Sequence, residues 1–464
     1  MKKFTNICLF YIFISIYIIV LFCLSPLFLI VILFIPDLKK DLIKRFIPAK
    51  FKNKKEILVH ASSTGEALLA YNLFENKVNY TYFNTGAHQI FNQKKVENYP
   101  IPFENIISIL IFVIQNKYSK LIFMEQEIWP AFLVINKIFG RKLILVNCNM
   151  YEKSFSTQKK LKFFFGNLFS MFYEILPKSK EDAIKLKKIK EELNIKELGN
   201  FKILSTLKNF NLLNSKISIQ DSNNKENIEK KDNNIKDLKY KTNCKIILFS
   251  SFHPQEFDIV SRTILRLKEF KKLKFIIAPR HIDKINLLEK ELKNNNISYD
   301  LMSSHFSDIE INENSFEIIL NKLVNLILKI LDDEYNKDIL IIDKFGFLSY
   351  IYKYSFISII GGSFNNKGGQ NFIEPIIQGV PVIIGPSYEN FKDMIEEFSG
   401  EWLKIIDNYE NEMDLIYKMT EAIYQFLDDN NKNILDKLQI KILQLKKIAE
   451  KQNEYILNLL KFSD

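Results

Sequence analysis

Two series of short apolar runs, each followed by a helix-length segment, constrain this chain more than any other feature. The first series is EILVHAS (Glu56–Ser62), KLIFMEQ (Lys120–Gln126), KLILVNCN (Lys142–Asn149) and YEILPKS (Tyr173–Ser179). The second starts at CKIILFSSF (Cys244–Phe252) and continues through LKFIIAP (Leu273–Pro279), DILIID (Asp338–Asp343), YSFISIIGG (Tyr354–Gly362) and VPVIIGP (Val380–Pro386). Runs that are apolar throughout, rather than alternating, fit strands buried on both faces, as in a parallel sheet covered by helices. The spacing therefore predicts two Rossmann-like α/β domains. A chain of 464 residues also exceeds what one core holds, since single cores stop growing near roughly 250 to 300 residues. Right-handed crossovers gather the functional loops at the carboxyl ends of the strands, where Glu66 and Glu125 both fall. Two such domains facing each other leave a central cleft.

The domains are expected over 37–204 and 243–400. Between them, 205–242 is rich in Asn, Lys, Asp and Ser and reads as a low-complexity insertion. After them, 401–464 holds two amphipathic helices, MDLIYKMTEAIYQFL (Met413–Leu427) and the stretch from Ile434 to Phe462, expected to pack back across the domains.

Ahead of the domains, Ile7 to Ile35 carries no charged residue, longer than the roughly 20 apolar residues that cross a hydrocarbon core. No small-residue cleavage signature follows, so residues 1–36 are expected to be an uncleaved anchor. Lys39, Lys40, Lys44, Arg45, Lys50, Lys52, Lys54 and Lys55 come after the run, and only Lys2 and Lys3 precede it. The positive-inside rule then places the domains in the cytoplasm, with the basic stretch against anionic headgroups. The net charge of +11 favours anionic partners more broadly. Nucleic acid is not expected, because no recognised module with basic and aromatic interleaving appears. The cysteines Cys8, Cys23, Cys148 and Cys244 form no C-x-x-C pair, and no H-E-x-x-H or D-x-D is placed to hold a metal. Neither metal nor cofactor is expected.

Several segments hold residues suited to chemistry. HASSTGEALLA (His60–Ala70) sets Glu66 behind a Ser-Thr-Gly turn, either as a helix-capping acid or as a base. EQEIWP (Glu125–Pro130) sets two acids at a strand end, and periodicity does not say which caps a helix and which faces the cleft. LGNFK (Leu198–Lys202) brings a flexible ammonium to the domain border. APRH (Ala278–His281) ends a strand with Arg280, a fork for phosphate or half of a surface salt bridge. GGSFNNKGGQNFIEP (Gly361–Pro375) pairs glycines before a helix start, with Asn371 and Glu374 beside it. It is either a flexible surface turn or a place where backbone N–H groups approach an anion.

Taken in order, HASSTGEALLA, the Thr85–Gly86 pair, EQEIWP, LVNCNMYEKSF, LGNFK, SSFHPQEFDIV, APRH and GGSFNNKGGQNFIEP with GVPVIIGPSYENFKDM resemble the 3-deoxy-D-manno-octulosonic acid (Kdo) transferases that act on lipid A. The resemblance covers roughly residues 1 to 400. It implies a GT-B glycosyltransferase with CMP-Kdo as donor and a lipid A precursor as acceptor, at the cytoplasmic face of the inner membrane. By the same resemblance Glu66 is the proton acceptor, and Glu125 and Lys202 stabilise the transition state. Pro279 and Arg280, Phe345, Gly346 and Phe347, and Asn371, Phe372, Ile373 and Glu374 hold CMP.

Three departures accompany the match. The family's Gly-Gly-His-Asn has Gln370 at the histidine, its Met-Gly-Glu is Phe345–Gly346–Phe347, and the arginine of its NARLS motif is Asn149 or Met150. Loss of the acid at Phe347 leaves cytidine contacts there to backbone groups. Two other readings stand beside the expected active enzyme: a GT-B transferase using another nucleotide sugar for an envelope glycolipid, and a degenerate membrane-bound binding protein.

Overall fold

Every apolar run becomes a strand of a parallel sheet. The computed structural model describes residues 9–21, 23–24, 41–126, 128–209, 242–269, 272–306, 316–428 and 432–461. They fall into two units, one formed by residues 1–216 with 445–464 and the other by 217–444.

The first unit is built on β1 (Ile57–Ala61), β2 (Asn79–Tyr82), β3 (Asn98–Pro100), β4 (Lys120–Met124), β5 (Lys142–Cys148) and β6 (Glu174–Pro177), in the spatial order β3-β2-β1-β4-β5-β6. All pairings are parallel, with His60 opposite Thr81 on one side and Phe123 on the other. The order reverses between β1 and β4, the switch point at which open α/β sheets part their loops and leave a crevice. Alternate strand residues Leu58, Leu121, Phe123, Leu143 and Leu145 pack with Phe112, Phe132 and Phe169 of the covering helices, as a period of two requires. Two further strands have no apolar run in the sequence, β2 and the edge strand β3: NYTY of β2 is buried throughout although half of it is polar.

The second unit carries β7 (Lys245–Phe252), β8 (Leu273–Pro279), β9 (Tyr299–Leu301), β10 (Ile339–Ile341), β11 (Ile357–Ile360), β12 (Val382–Ile384) and β13 (Leu403–Ile405), ordered β13-β12-β11-β7-β8-β10-β9. Its central strands divide their side chains by parity. Ile247, Phe249, Ile277 and Ile341 join the core under the helices Phe257–Leu267 and Glu412–Leu427, while Ile246, Leu248, Ile276 and Leu340 join the core under Phe316–Leu331. The unforeseen β9 and β13 are three-residue edges.

The expected anchor lies largely outside the described residues, which omit 1–8, 22 and 25–40. The described part, 9–21, is helical, and its Phe10 and Ile14 are buried in the core of the first unit. Tyr17 there donates a hydrogen bond of 2.5 Å to Glu104. Among the described residues no helix is long and apolar enough to cross a membrane. Most of the expected insertion, 210–241, also lies outside them. The expected border after residue 204 falls within the helix Lys202–Asn209, which belongs to the first unit. The last helix, Lys432–Leu460, gives its residues to the second unit up to 444 and to the first from 445.

Candidate active site

Glu66 is the third residue of the helix Thr64–Phe74, which follows β1 directly. Ser63 caps that helix, its hydroxyl accepting the Glu66 N–H at 3.3 Å. The Glu66 side chain reaches back in return: one oxygen accepts the Ser62 N–H at 2.8 Å and the other the Ser63 hydroxyl at 2.9 Å. This is the reciprocal arrangement of a capping box, displaced by one residue. It satisfies an otherwise orphaned N–H and fixes the carboxylate near the positive end of the helix dipole. Behind it His60 is fully buried, its ring nitrogens 3.1 Å from the Thr81 hydroxyl and 3.0 Å from that of Ser62. Burial, with the Arg45 charge adding to it, holds the His60 pKa down to about 3, so the ring is neutral and acts as a polar wedge.

Glu125 follows β4, the strand beside β1, and adopts a left-handed backbone with φ 55°. That conformation costs a non-glycine residue energy and persists here under the bond from its N–H to the Val146 carbonyl at 2.8 Å. The second acid of the same segment, Glu127, lies outside the described residues. Lys202 opens the helix Lys202–Asn209, and its Nζ stands 4.0 Å from Glu125. Three side chains not singled out in the sequence hold Lys202 in place. Asn147, at a register shift near the end of β5 and with φ 60°, accepts the Phe201 N–H at 2.9 Å. Asn200 accepts the Lys202 N–H at 3.0 Å, and Gln452 donates to the carbonyls of Leu198 and Asn200. Of the two residues standing for the family arginine, Met150 is buried and Asn149 is half-buried.

In the second unit Pro279 ends β8, and the exposed Arg280 is tied to the end of β7 by its N–H to the Phe252 carbonyl at 2.9 Å. Phe345 is exposed and Gly346 has φ 93°, whereas Phe347 is fully buried, stacked on Phe316 with ring centroids 4.8 Å apart. That segment therefore offers a ligand its backbone and Phe345, not the Phe347 ring. Phe372 and Ile373 are likewise buried, and Asn371 accepts the Ile373 N–H at 3.1 Å. Glu374 is half-buried, and its desolvation pushes its pKa up to about 7.

The N–H groups of the four glycines in this segment are taken up by acceptors of the protein itself, one of them the Glu256 carboxylate. Gly361 donates to the Ser250 carbonyl at 2.8 Å, Gly362 to Glu256 at 2.9 Å, Gly368 to the Ser387 hydroxyl at 2.9 Å and Gly369 to the Gly362 carbonyl at 3.0 Å. The glycines serve close packing: a Cβ on Gly361 would lie 2.3 Å from Phe252 Cα, and Gly362 needs φ 70°. The helix that follows, Ile373–Ile377, is a single short turn. Polar and basic side chains gather beside the loop. The rings of His253 and His281 lie 5.1 Å apart, and the Gln370 amide nitrogen is 3.5 Å from His253 Nε2. Burial lowers the His253 pKa, and His281, Arg280 and Lys367 lower it further.

Residues 40–205 match the family described as 3-Deoxy-D-manno-octulosonic-acid transferase (kdotransferase). The 3-deoxy-D-manno-octulosonic acid transferase of Aquifex aeolicus is 27% identical over 400 residues, covering 82% of this chain and 91% of its own. That of Rickettsia bellii is 28% identical over 451 residues, covering 90% and 96%. Among solved structures, the C-terminal CMP-Kdo binding domain of WaaA from Acinetobacter baumannii covers 47% of this chain and 96% of its own, at 20% identity. Its TM-score of 0.34 marks a likeness too slight to argue from. Residues 40–205 carry the Kdo transferase family domain, and relatives that align along most of this chain are Kdo transferases, so the chain is a glycosyltransferase similar to them.

Proposed function

We propose that this enzyme transfers Kdo from CMP-Kdo to a lipid A precursor, lipid IVA, in lipopolysaccharide biosynthesis, by one inverting displacement with Glu66 as general base. The observation that carries the reading is the placement of Glu66 and Glu125 at the carboxyl ends of the adjacent strands β1 and β4, with Lys202 held 4.0 Å from Glu125. A sugar hydroxyl attacks poorly until its proton is taken, and a carboxylate fixed at hydrogen-bonding distance takes it. The acceptor oxygen bonds the anomeric carbon as the bond to CMP breaks, and the departing electron pair collects on phosphate. Lys202 and Arg280 are the cations assigned to that charge, with Glu125 keeping the Lys202 ammonium in position. CMP is assigned to Pro279 and Arg280, to the backbone of Phe345–Phe347, and to Asn371–Glu374, where the Glu374 carboxylate accepts ribose hydroxyls. The same reading makes the protein a GT-B transferase anchored by its amino-terminal apolar run, its basic stretch on anionic lipid and its catalytic domains in the cytoplasm.

Incubating the protein in detergent with lipid IVA and freshly made CMP-Kdo, and in parallel with UDP-sugars, tests this by mass spectrometry. Mass steps of Kdo from CMP-Kdo alone are expected. Transfer from a UDP-sugar in place of CMP-Kdo would refute the proposal.

A further inference from the structure

Glu256 is 1% exposed, yet among the described residues its hydrogen-bond partners are all backbone N–H groups, drawn from two separate segments. One carboxylate oxygen accepts Gly362 at 2.9 Å and Phe364 at 3.3 Å; the other accepts Gly362 at 2.9 Å and His253 at 2.8 Å. The residue sits in the turn Pro254–Glu256 after β7, at the start of the helix Phe257–Leu267. The strand leading to it shifts register between Ser250 and Phe252, where Ser251 takes φ 59°. A buried carboxylate is costly unless its lone pairs are filled, and here burial raises its pKa while three N–H donors oppose the rise. An arrangement that expensive fixes a geometry. It joins the loop Gly361–Phe364 to the turn bearing His253, beside Gln370, Arg280, His281 and Lys367.

We infer that Glu256 is a positioning residue for donor binding, its carboxylate stapling the glycine loop to the His253 turn so that Arg280 and Lys367, with the polar side chains of His253 and Gln370 beside them, meet the phosphate of a cytidine nucleotide. The inference rests on the reading of the second domain as the nucleotide-binding one. Both oxygens must accept, because each faces two N–H groups. Glutamine fills the same volume but turns an NH2 against one of those pairs, which opens the staple without removing bulk.

Titration of the full-length protein with CMP, followed calorimetrically beside a thermal midpoint, tests this. Glu256→Gln is expected to bind CMP about tenfold or more weakly, the loss that goes with a charged hydrogen bond. It should raise KM for the CMP-sugar donor and leave KM for the lipid acceptor unchanged. A Glu256→Gln protein with a lowered midpoint but a wild-type Kd for CMP would reduce Glu256 to a stabilising residue and overturn the inference. Where that variant does not fold, Glu256→Asp, which keeps the charge and shortens the reach, is read the same way: weaker CMP binding supports the staple and wild-type binding overturns it. Failure of the wild type to bind CMP would overturn the nucleotide assignment of the domain itself, and the inference with it.

Discussion

Lys202 and Glu125 form a pair in which stability and activity separate. Their charges are 4.0 Å apart and partly exposed, so the ion pair contributes at most about 1 kcal/mol to folding. A cation aimed at a departing phosphate is worth far more, on the order of a hundredfold in rate. Lys202→Ala is therefore expected to lose about a hundredfold in kcat or more with its thermal midpoint nearly unchanged, measured by transfer assay and calorimetry. Glu374 has a different signature. Its folded pKa of about 7 lies above the ordinary 4.5, so folding favours the protonated form. The associated stabilisation is complete below about pH 4.5 and is lost as pH rises through about 7. Thermal midpoints between about pH 5 and about pH 8 should fall more steeply for the wild type than for Glu374→Gln. Equal slopes would contradict the assigned burial. The placement of Glu66, Glu125 and Lys202 at element ends was legible in the sequence because each stands in a motif that follows an apolar run or opens a helix. Asn147, Glu256 and Gln452 were not, because their work is done on backbone groups far away in the chain, and no local spacing records that.

At the scale of elements, the central strands were readable because burial on both faces leaves a continuous apolar run. The short edges β3, β9 and β13 were not, since an edge strand carries polar residues and little length, nor was the interior β2, whose four residues alternate Asn and Thr with Tyr and leave no apolar run. The shifts in register near the ends of β5 and β7 escaped notice for a related reason: a bulge adds one residue without changing composition. Asn147 sits at the first of them, and its Oδ1 holds the Phe201 N–H. Asn147→Ala removes that bond and strains φ 60°, and is expected to cost about 2 kcal/mol in stability and to lower kcat as Lys202 shifts. Unchanged kcat in a destabilised variant would confine Asn147 to folding.

For the molecule as a whole, the alternation of runs foretold two parallel-sheet domains, and the strand order puts Glu66 and Glu125 on either side of the first sheet's switch point. In the glycine-rich segment, composition does not distinguish an open loop from one packed against a neighbouring backbone. The amino-terminal run has the hydropathy of a span. Its described part, 9–21, buries Phe10 and Ile14 in the first domain and leaves Tyr11, Ile12, Phe13 and Ile16 exposed. Transfer by direct displacement depends on the base, and Glu66→Gln tests it most directly: the substitution keeps one acceptor for the cap and removes the proton acceptor. Transfer from CMP-Kdo to lipid IVA should fall by about a hundredfold or more, with CMP binding and thermal midpoint close to wild type. Wild-type transfer rates in Glu66→Gln would contradict it.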